Sequence, residues 1–279
     1  MVRKPCRLSY RTLIADIDGT LTEKGEPLLP RTREALIRLH EDGLDIGLAT
    51  GRPLDQRIFD RAKEWNLGFG FDLLIGMNGG ELWDRYTEKI TREKPLSEDT
   101  LAEILSFMTE ADVNAIIFAE GYDRVLALRE DPILLDSSRR NHSVVEYVTK
   151  EVLAEKPACK LEFHYDPAIE EDVYRIIGAH SDPRWTSVRT FGGTVEFMDP
   201  SVDKGAALKR FSEHSGIAME AIIACGDMEN DIGMMKAAGL GICLANGSDA
   251  AKAAADVITD YPVSEDGLGR FLMKRLYNA

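Results

Sequence analysis

Two aspartates directly follow a short apolar segment near the beginning of the chain. Thr12 to Ala15 has the composition of a buried strand, and the run Asp-Ile-Asp-Gly-Thr at 16–20 places Asp16 and Asp18 just beyond it. An ordinary strand-end turn is the alternative interpretation, because Asp-Gly pairs favour turns. Open α/β sheets, however, bind their ligands at the carboxyl ends of their strands. The position of the two carboxylates therefore indicates a reactive or ligand-binding site.

A second acidic group follows a later apolar segment and begins a predicted helix. The run Gly-Asp-Met-Glu-Asn-Asp at 226–231 contains Asp227, Asn230 and Asp231. Acidic residues at a helix N-terminus also satisfy free N–H groups and the helix dipole, which is a structural alternative. That alternative accounts for one or two acids, but less well for a spaced pair with an asparagine between them. We interpret the run as a second candidate site.

A lysine and a Thr-Gly-Arg motif stand at comparable junctions. Lys204 falls in the first turn of a predicted helix, where the helix dipole disfavours a cation. A solvent-exposed lysine is the commoner case, but a lysine that faces an anion explains the position. Thr50, Gly51 and Arg52 follow another predicted strand, where hydroxyl and N–H groups can hold a phosphate and Arg52 can contact a substrate. Taken alone, this motif is weak, and an ordinary loop is its alternative.

The four motifs are more informative as a set than singly. A parallel sheet brings the carboxyl ends of its strands to one edge, so we expect all four motifs to lie there. There they supply four carboxylates, one ammonium group and one hydroxyl. Oxygen ligands without a His/Cys cluster favour Mg²⁺ over zinc. The combination suits phosphate chemistry with an aspartate nucleophile, so we predict a magnesium-assisted phosphate site.

Apolar segments that alternate with helical periodicity position these motifs. Helices are predicted at about 31–42, 54–65, 204–215 and 231–238, and strands at 12–15, 44–49, 73–75, 221–225 and 240–244. Such alternation produces right-handed crossovers and a parallel sheet covered on both faces. The predicted fold class is therefore α/β, with a Rossmann-like core.

The middle third of the chain has a different pattern. Apolar runs flank a plausible hairpin at 119–124, and Lys160 to His164 alternates polar and apolar residues, as a strand with one solvent-exposed face does. Paired glycines at 79–80 and 192–193 are candidate joints. We predict an inserted α+β cap domain at 83–192, and a catalytic core formed by residues 1–82 and 193–279.

Composition limits the partners of the protein. The 279 residues include 34 Lys+Arg and 48 Asp+Glu, for a formal net charge of −14. This charge disfavours a non-specific nucleic-acid binder but not an enzyme for a small anionic substrate. No segment approaches the roughly 20 apolar residues of a membrane span, and the N-terminus does not resemble a signal peptide. Four scattered cysteines, with neither zinc nor disulfide spacing, favour a cytoplasmic location. The oligomeric state is left open.

The set of motifs resembles that of the haloacid dehalogenase-like phosphohydrolase superfamily, most closely the Cof-type group (subclass IIB) with a large cap between the second and third motifs. The resemblance rests on Asp-x-Asp-Gly-Thr at 16–20, Thr-Gly-Arg at 50–52, Lys204, and Gly-Asp-x-x-Asn-Asp at 226–231. An Asn-Gly pair at 78–79 adds to it. It covers nearly the whole chain and implies a Mg²⁺-dependent phosphatase for small phosphorylated metabolites, such as sugar phosphates, with the insert as a lid.

The resemblance also implies roles for individual residues. Asp16 would attack phosphorus and become an aspartyl-phosphate, and Asp18 would protonate the leaving group and then activate water. Asp231 would orient Lys204 or the water around the metal. The implied metal-site residues are Asp16, Asp18 (through its main-chain carbonyl), Asp227 and Asp231, and the implied phosphate or substrate ligands are Thr50, Gly51, Arg52, Lys204 and Asn230.

Two other functions are compatible with this fold. A phosphomutase would use the same chemistry but return the phosphoryl group to a sugar instead of water. A non-catalytic binding module would lack the nucleophile or the acid, whereas Asp16 and Asp18 are both present. Nucleotide kinases and dehydrogenases are disfavoured, since no GxxxxGK[ST] or GxGxxG motif follows a strand.

Overall fold

The computed structural model describes residues 9–93, 95–156 and 158–277, without side chains at 120–122 and 191. Its strands are β1 (Thr12–Ala15), β2 (Asp45–Ala49), β3 (Leu73–Gly76), β4 (Glu81–Asp84), β5 (Ile90–Arg92), β6 (Val113–Tyr122), β7 (Arg124–Ala127), β8 (Val144–Tyr147), β9 (Leu161–Tyr165), β10 (Thr186–Phe191), β11 (Thr194–Met198), β12 (Ile222–Gly226), β13 (Leu240–Cys243) and β14 (Val257–Ile258). Its helices are α1 (Pro30–Glu41), α2 (Gln56–Glu64), α3 (Glu98–Met108), α4 (Pro132–Asn141), α5 (Lys150–Ala154), α6 (Glu170–Ala179), α7 (Lys204–Ser215), α8 (Ile232–Ala237), α9 (Asp249–Ala254) and α10 (Gly267–Tyr277).

Met1–Arg92 and Asp203–Ala279 together form one compact unit, here called the core unit. Its sheet has the strand order β14-β13-β12-β1-β2-β3-β4-β5, parallel from β14 to β3 and antiparallel at β4 and β5. Every residue of β1, β2, β3 and β12 is buried, because α1, α2 and α10 pack on one face and α7 and α8 on the other. The predicted α/β fold with a parallel core sheet is confirmed.

The order of the core strands defines a topological switch point next to β1. β1 lies between β12 and β2. After β1 the sheet continues through β2 and β3 on one side, and after β12 it continues through β13 and β14 on the other side. Sheets of this kind bind ligands outside the carboxyl ends of the strands at such a switch point. Asp16 and Asp227 are the residues that directly follow β1 and β12.

Local signals define helix α7, which carries Lys204 as its first residue. The Asp203 side chain accepts a hydrogen bond from the Ala206 N–H and caps the helix, which ends at Gly216 with a φ of 71°. The predicted helix from Lys204 to Ser215, with Gly216 as its stop, is confirmed.

Glu93–Val202 forms a second compact unit, here called the inserted unit. Its sheet has the order β10-β11-β9-β6-β7-β8, antiparallel except between β7 and β8. The unit begins and ends ten residues later than the predicted 83–192. The reason is that β4 and β5 extend the core sheet beyond β3, whereas β11 pairs with β9 in the second sheet and β10 pairs with β11.

The prediction of a solvent-exposed face on strand β9 is wrong. Leu161 and Phe163 enter the apolar core of the inserted unit as the alternation requires. The polar positions are also buried: Lys160, Glu162 and His164 are only 3%, 7% and 5% exposed. Burial of these side chains requires charge partners, and they come from other parts of the inserted unit.

These side chains belong to a buried network, here called the inserted-unit polar cluster. Lys160 Nζ lies 2.7 Å from Glu196 Oε1 and 3.1 Å from Glu162 Oε2. The two ring nitrogens of His164 face Glu162, at 2.8 Å, and Asp131, at 3.0 Å. Burial alone would lower the pKa of His164, but the two carboxylates raise it to about 9. Burial raises the pKa of Glu196 to about 7.

Within the described part of the chain, the helices are too short or too polar to cross a membrane.

Candidate active site

Three carboxylates meet at the switch point of the core sheet. Asp16, Asp227 and Asp231, here called the acidic cluster, each place an oxygen within 4.8 Å of the others. All three side chains are buried. The cluster joins the ends of β1 and β12, as the sequence motifs predicted from their positions after these strands.

Lys204 is the cation of this cluster. Its side chain is fully buried, which excludes the alternative of a surface lysine. Nζ lies 2.7 Å from Asp16 Oδ1 and 2.6 Å from Asp231 Oδ1. Burial alone would lower the pKa of Lys204, but the two adjacent carboxylates hold it above its usual value. Lys204 is therefore a permanent ammonium group that fixes one oxygen of Asp16.

Three ionised carboxylates in the acidic cluster would carry more negative charge than Lys204 neutralises, which makes their ionisation unfavourable. Burial raises the pKa of Asp16 well above its usual range despite the attraction of Lys204, and Asp231 and Asp227 add to the rise. Burial and the Asp231 carboxylate raise the pKa of Asp227 to about 7. A site in which ionisation of the carboxylates is this unfavourable is suited to a bound cation.

The sequence left two alternatives for Asp231: acceptance of hydrogen bonds from free N–H groups at a helix N-terminus, or membership of a candidate site. In the structure, Asp231 does both. Its Oδ2 accepts the backbone N–H groups of Asp227, at 2.9 Å, and of Met228, at 3.1 Å. Its Oδ1 accepts from Lys204. Thr20 Oγ1 donates to Asp227 Oδ1 at 2.7 Å, so the Asp-Gly-Thr motif also supports the acidic cluster.

Asp18 lies outside the acidic cluster as far as its side chain is concerned. Arg52 donates from Nη2 to both carboxylate oxygens of Asp18, at 2.8 and 2.6 Å, and from Nε at 3.1 Å. The pair is partly buried. Sequence reasoning selected both residues but missed their pairing. Gly19 keeps the adjacent turn close to Asp227, because a Cβ on this residue would lie 2.3 Å from that carboxylate.

Thr50 and Asn230 are fixed through neighbouring loops. Thr50 is buried, and its Oγ1 accepts from the Arg52 N–H at 3.2 Å. Asn230 Nδ2 donates to Asn78 Oδ1 at 3.0 Å. Sequence reasoning noted Asn78 only as half of an Asn-Gly pair and missed its contact with Asn230. The signal that could have identified it is its place after β3, at the same sheet edge as Asp16 and Thr50.

The structure thus places a buried aspartate in contact with a buried lysine at the switch point of an α/β sheet. The family model of the haloacid dehalogenase-like hydrolases matches residues 13–272, nearly the whole chain. The protein belongs to this family, and its relatives are of the Cof type. It is a phosphoric monoester hydrolase.

Named relatives agree with this assignment. The chain is 28% identical to the 5-amino-6-(5-phospho-D-ribitylamino)uracil phosphatase YitU of Bacillus subtilis, over 92% of this chain and 94% of that protein. It is 23% identical to the pyridoxal phosphate phosphatase YbhA of Escherichia coli, over 96% and 100%. Its fold matches a solved sugar phosphatase of subclass IIB with a TM-score of 0.79 and 25% identity, over 95% and 98% of the two chains.

Proposed function

We propose that the protein is a Mg²⁺-dependent phosphatase that hydrolyses small-molecule phosphomonoesters, such as sugar phosphates, through an aspartyl-phosphate on Asp16. The observation that carries this proposal is the buried Asp16 carboxylate, with one oxygen fixed 2.7 Å from Lys204 inside the acidic cluster. A carboxylate held in this way is oriented for attack on phosphorus.

The donor set of the acidic cluster fits Mg²⁺. Its side chains offer only carboxylate oxygens, the ligands that hard divalent cations prefer. Asp16 and Asp227 would hold the ion together with the main-chain carbonyl of Asp18. Both oxygens of Asp231 already accept hydrogen bonds, so its role would be to orient Lys204 and the cluster. When bound, the cation would offset the repulsion between a carboxylate and a phosphate dianion.

The first half of the reaction would transfer the phosphoryl group to Asp16. An Asp16 oxygen would form a bond to phosphorus while the bond to the leaving oxygen breaks. Lys204, the Thr50 hydroxyl and the Asn230 amide would bind the phosphoryl oxygens, which gather negative charge during the transfer. The backbone N–H of Gly51, in the same loop as Thr50, would be a further donor to the phosphoryl oxygens. Water would then attack phosphorus, release inorganic phosphate and regenerate the Asp16 carboxylate.

Asp18 would supply and then recover the proton. It would protonate the leaving alkoxide in the first step and deprotonate the attacking water in the second. Arg52 occupies both oxygens of Asp18 in this structure. Asp18 can therefore act only after this ion pair opens, and we propose that a bound substrate offers Arg52 another acceptor.

The inserted unit would restrict the size of the substrate. The hypothesis rests on the insertion of a separate compact unit, Glu93–Val202, into the catalytic chain. The net charge of −14 would further slow encounter with phosphoproteins and nucleic-acid ends. Equal rates on folded phosphoproteins and on hexose phosphates would contradict this hypothesis.

The test is a screen for phosphate release over phosphorylated sugars, nucleotides, pyridoxal phosphate and glycolytic acids, with Mg²⁺ and after EDTA treatment. The named activities of the relatives motivate the inclusion of pyridoxal phosphate and the addition of 5-amino-6-(5-phospho-D-ribitylamino)uracil to this screen. The expected result is Mg²⁺-dependent release of inorganic phosphate. Absence of release from every substrate would refute the proposal, and transfer between sugar hydroxyls without release would indicate a phosphomutase.

A further inference from the structure

We propose that Asn78 is a positioning residue, whose side-chain carbonyl orients the Asn230 amide toward the phosphoryl group. The segment that holds Asn78, here called the 77–79 segment, also connects the Thr50 loop to the start of helix α7. This inference rests on the proposed function, in which Asn230 binds the phosphoryl group.

The 77–79 segment has an unusual backbone conformation. Met77, Asn78 and Gly79 follow one another with φ angles of 50°, 53° and 106°. Asparagine and glycine adopt this left-handed region readily, but in methionine the Cβ approaches the following carbonyl oxygen and the conformation is strained. Such conformations persist where surrounding contacts require them, and they concentrate at functional sites. The contacts of this segment identify what it holds.

Two backbone hydrogen bonds attach the 77–79 segment to the Thr-Gly-Arg loop. The Met77 N–H donates to the Arg52 carbonyl at 2.9 Å, and the Asn78 N–H donates to the Thr50 carbonyl at 3.1 Å. The strained residues therefore form the bonds that fix the loop bearing the Thr50 hydroxyl. Extended backbone at residue 77 would direct the Asn78 N–H elsewhere.

The same segment lies directly against the start of helix α7. A Cβ on Gly79 would lie 2.3 Å from the Asp203 carbonyl oxygen, so only glycine permits this approach. Arg210, in helix α7, donates to the Gly79 carbonyl at 2.8 Å. Asp203 is the residue before Lys204, so the segment contacts the backbone that positions the ammonium group.

The Asn78 side chain completes the connection to the third phosphate ligand. It is 2% exposed, and its Oδ1 accepts from Asn230 Nδ2 at 3.0 Å. A Cβ on Gly51 would lie 3.2 Å from the same oxygen, so this side chain lies between the Thr-Gly-Arg loop and Asn230. A hydrogen bond to one N–H of an amide restricts the rotation of the whole planar group. Asn78 thereby limits the directions in which the second N–H of Asn230 can point.

The first test compares two asparagines that share a left-handed backbone. Asn78→Gly removes the acceptor but keeps the required φ, and Asn66→Gly makes the same change at an exposed residue with a φ of 52°. We expect Asn78→Gly to weaken inhibition by inorganic phosphate and by orthovanadate about tenfold, the factor for one ordered hydrogen bond. Asn78→Gly should lower thermal stability more than Asn66→Gly because Asn78 is buried, so the inhibition constants are measured well below the Tm of each variant. Unchanged inhibition constants would overturn the proposal.

A double-mutant cycle tests whether Asn78 acts through Asn230. In the wild type, Asn230→Ala should weaken phosphate inhibition, and in the Asn78→Gly background it should add little. In the Asn78→Asp background, which retains an acceptor oxygen, Asn230→Ala should again have its full effect. Additive losses in the Asn78→Gly background would refute the positioning role. If Asn230→Ala has no effect in the wild type, the phosphate-binding role of Asn230 fails, and this inference fails with it.

Discussion

Replacement of Asp16 by asparagine should abolish turnover and yet stabilise the metal-free protein. The amide is nearly isosteric with the carboxylate but is a poor nucleophile, so we expect a loss of at least about 10³-fold in kcat. Lys204 retains its contact with Asp231 at 2.6 Å. The fold should therefore survive, and loss of activity and loss of stability can be separated.

The gain in stability follows from the distances in the acidic cluster. We take an effective dielectric constant of about 20. Repulsion from ionised Asp227 and from ionised Asp231, each within 4.8 Å, then destabilises the ionised Asp16 carboxylate by roughly 3.5 kcal/mol per neighbour. Attraction to Lys204 at 2.7 Å stabilises it by roughly 6 kcal/mol. The two repulsions exceed the attraction by about 1 kcal/mol before any cost of burial. Because folding raises the pKa of Asp16, the folded protein binds the Asp16 proton more tightly than the unfolded chain does. The free energy of unfolding of the wild type therefore falls as the pH rises above the usual pKa of an aspartate. The advantage of Asp16→Asn should therefore grow from pH 4 to pH 8.

The assay is thermal unfolding in EDTA, with Asp60→Asn as a control at an exposed aspartate of the same unit. A difference of about 1 kcal/mol corresponds to an increase in Tm of roughly 2–4 °C at pH 8. Millimolar Mg²⁺ should raise the Tm of the wild type more than that of Asp16→Asn. A lower Tm for Asp16→Asn at pH 8 in EDTA would refute the electrostatic reasoning, and retention of turnover would refute the covalent mechanism.

Three further predictions concern the metal, the acid and the inserted unit. Dialysis against EDTA should abolish phosphatase activity and Mg²⁺ should restore it; full activity after dialysis would exclude the metal. Asp18→Asn should slow alkyl phosphates more than aryl phosphates, whose leaving groups need no proton, and equal losses would argue against the acid role. His164→Gln should cost about 3 kcal/mol at pH 6 and little at pH 9.5, because a pKa raised from 6.5 to about 9 stabilises the fold below 6.5 and loses that effect toward 9. Urea unfolding at both pH values measures the difference, and a pH-independent cost would contradict this assignment.

The parts of the site that lie at strand ends could be predicted from sequence. Asp16, Lys204 and Asp227 each follow an apolar strand or begin a helix, and a parallel sheet brings such positions to one edge. Their convergence at this edge required no further information. The arrangement of the core could be predicted for the same reason, because the alternation of strands and helices is a local property of the chain.

Contacts between distant residues could not be predicted in this way. Asp18 and Arg52 are 34 positions apart, and Lys160 and Glu196 are 36 positions apart. A strand that alternates polar and apolar residues has the same pattern whether its polar face meets water or charges from another strand. The domain boundary was misplaced for a related reason: β4 contains the buried Glu81, whose carboxylate accepts the Leu54 N–H at 2.7 Å, and a charged residue does not suggest an internal strand.

The chain passes from the inserted unit back to the core unit between Val202 and Asp203, one residue before Lys204. Asp203 is held on several sides at this crossing. Its carboxylate caps helix α7, a Cβ on Gly233 would lie 2.3 Å from it, and Gly79 lies against its backbone. All of these contacts lie within the core unit, on the near side of the crossing. The position of Lys204 next to Asp16 is therefore built by the core unit itself and does not depend on any of these contacts coming from the inserted unit.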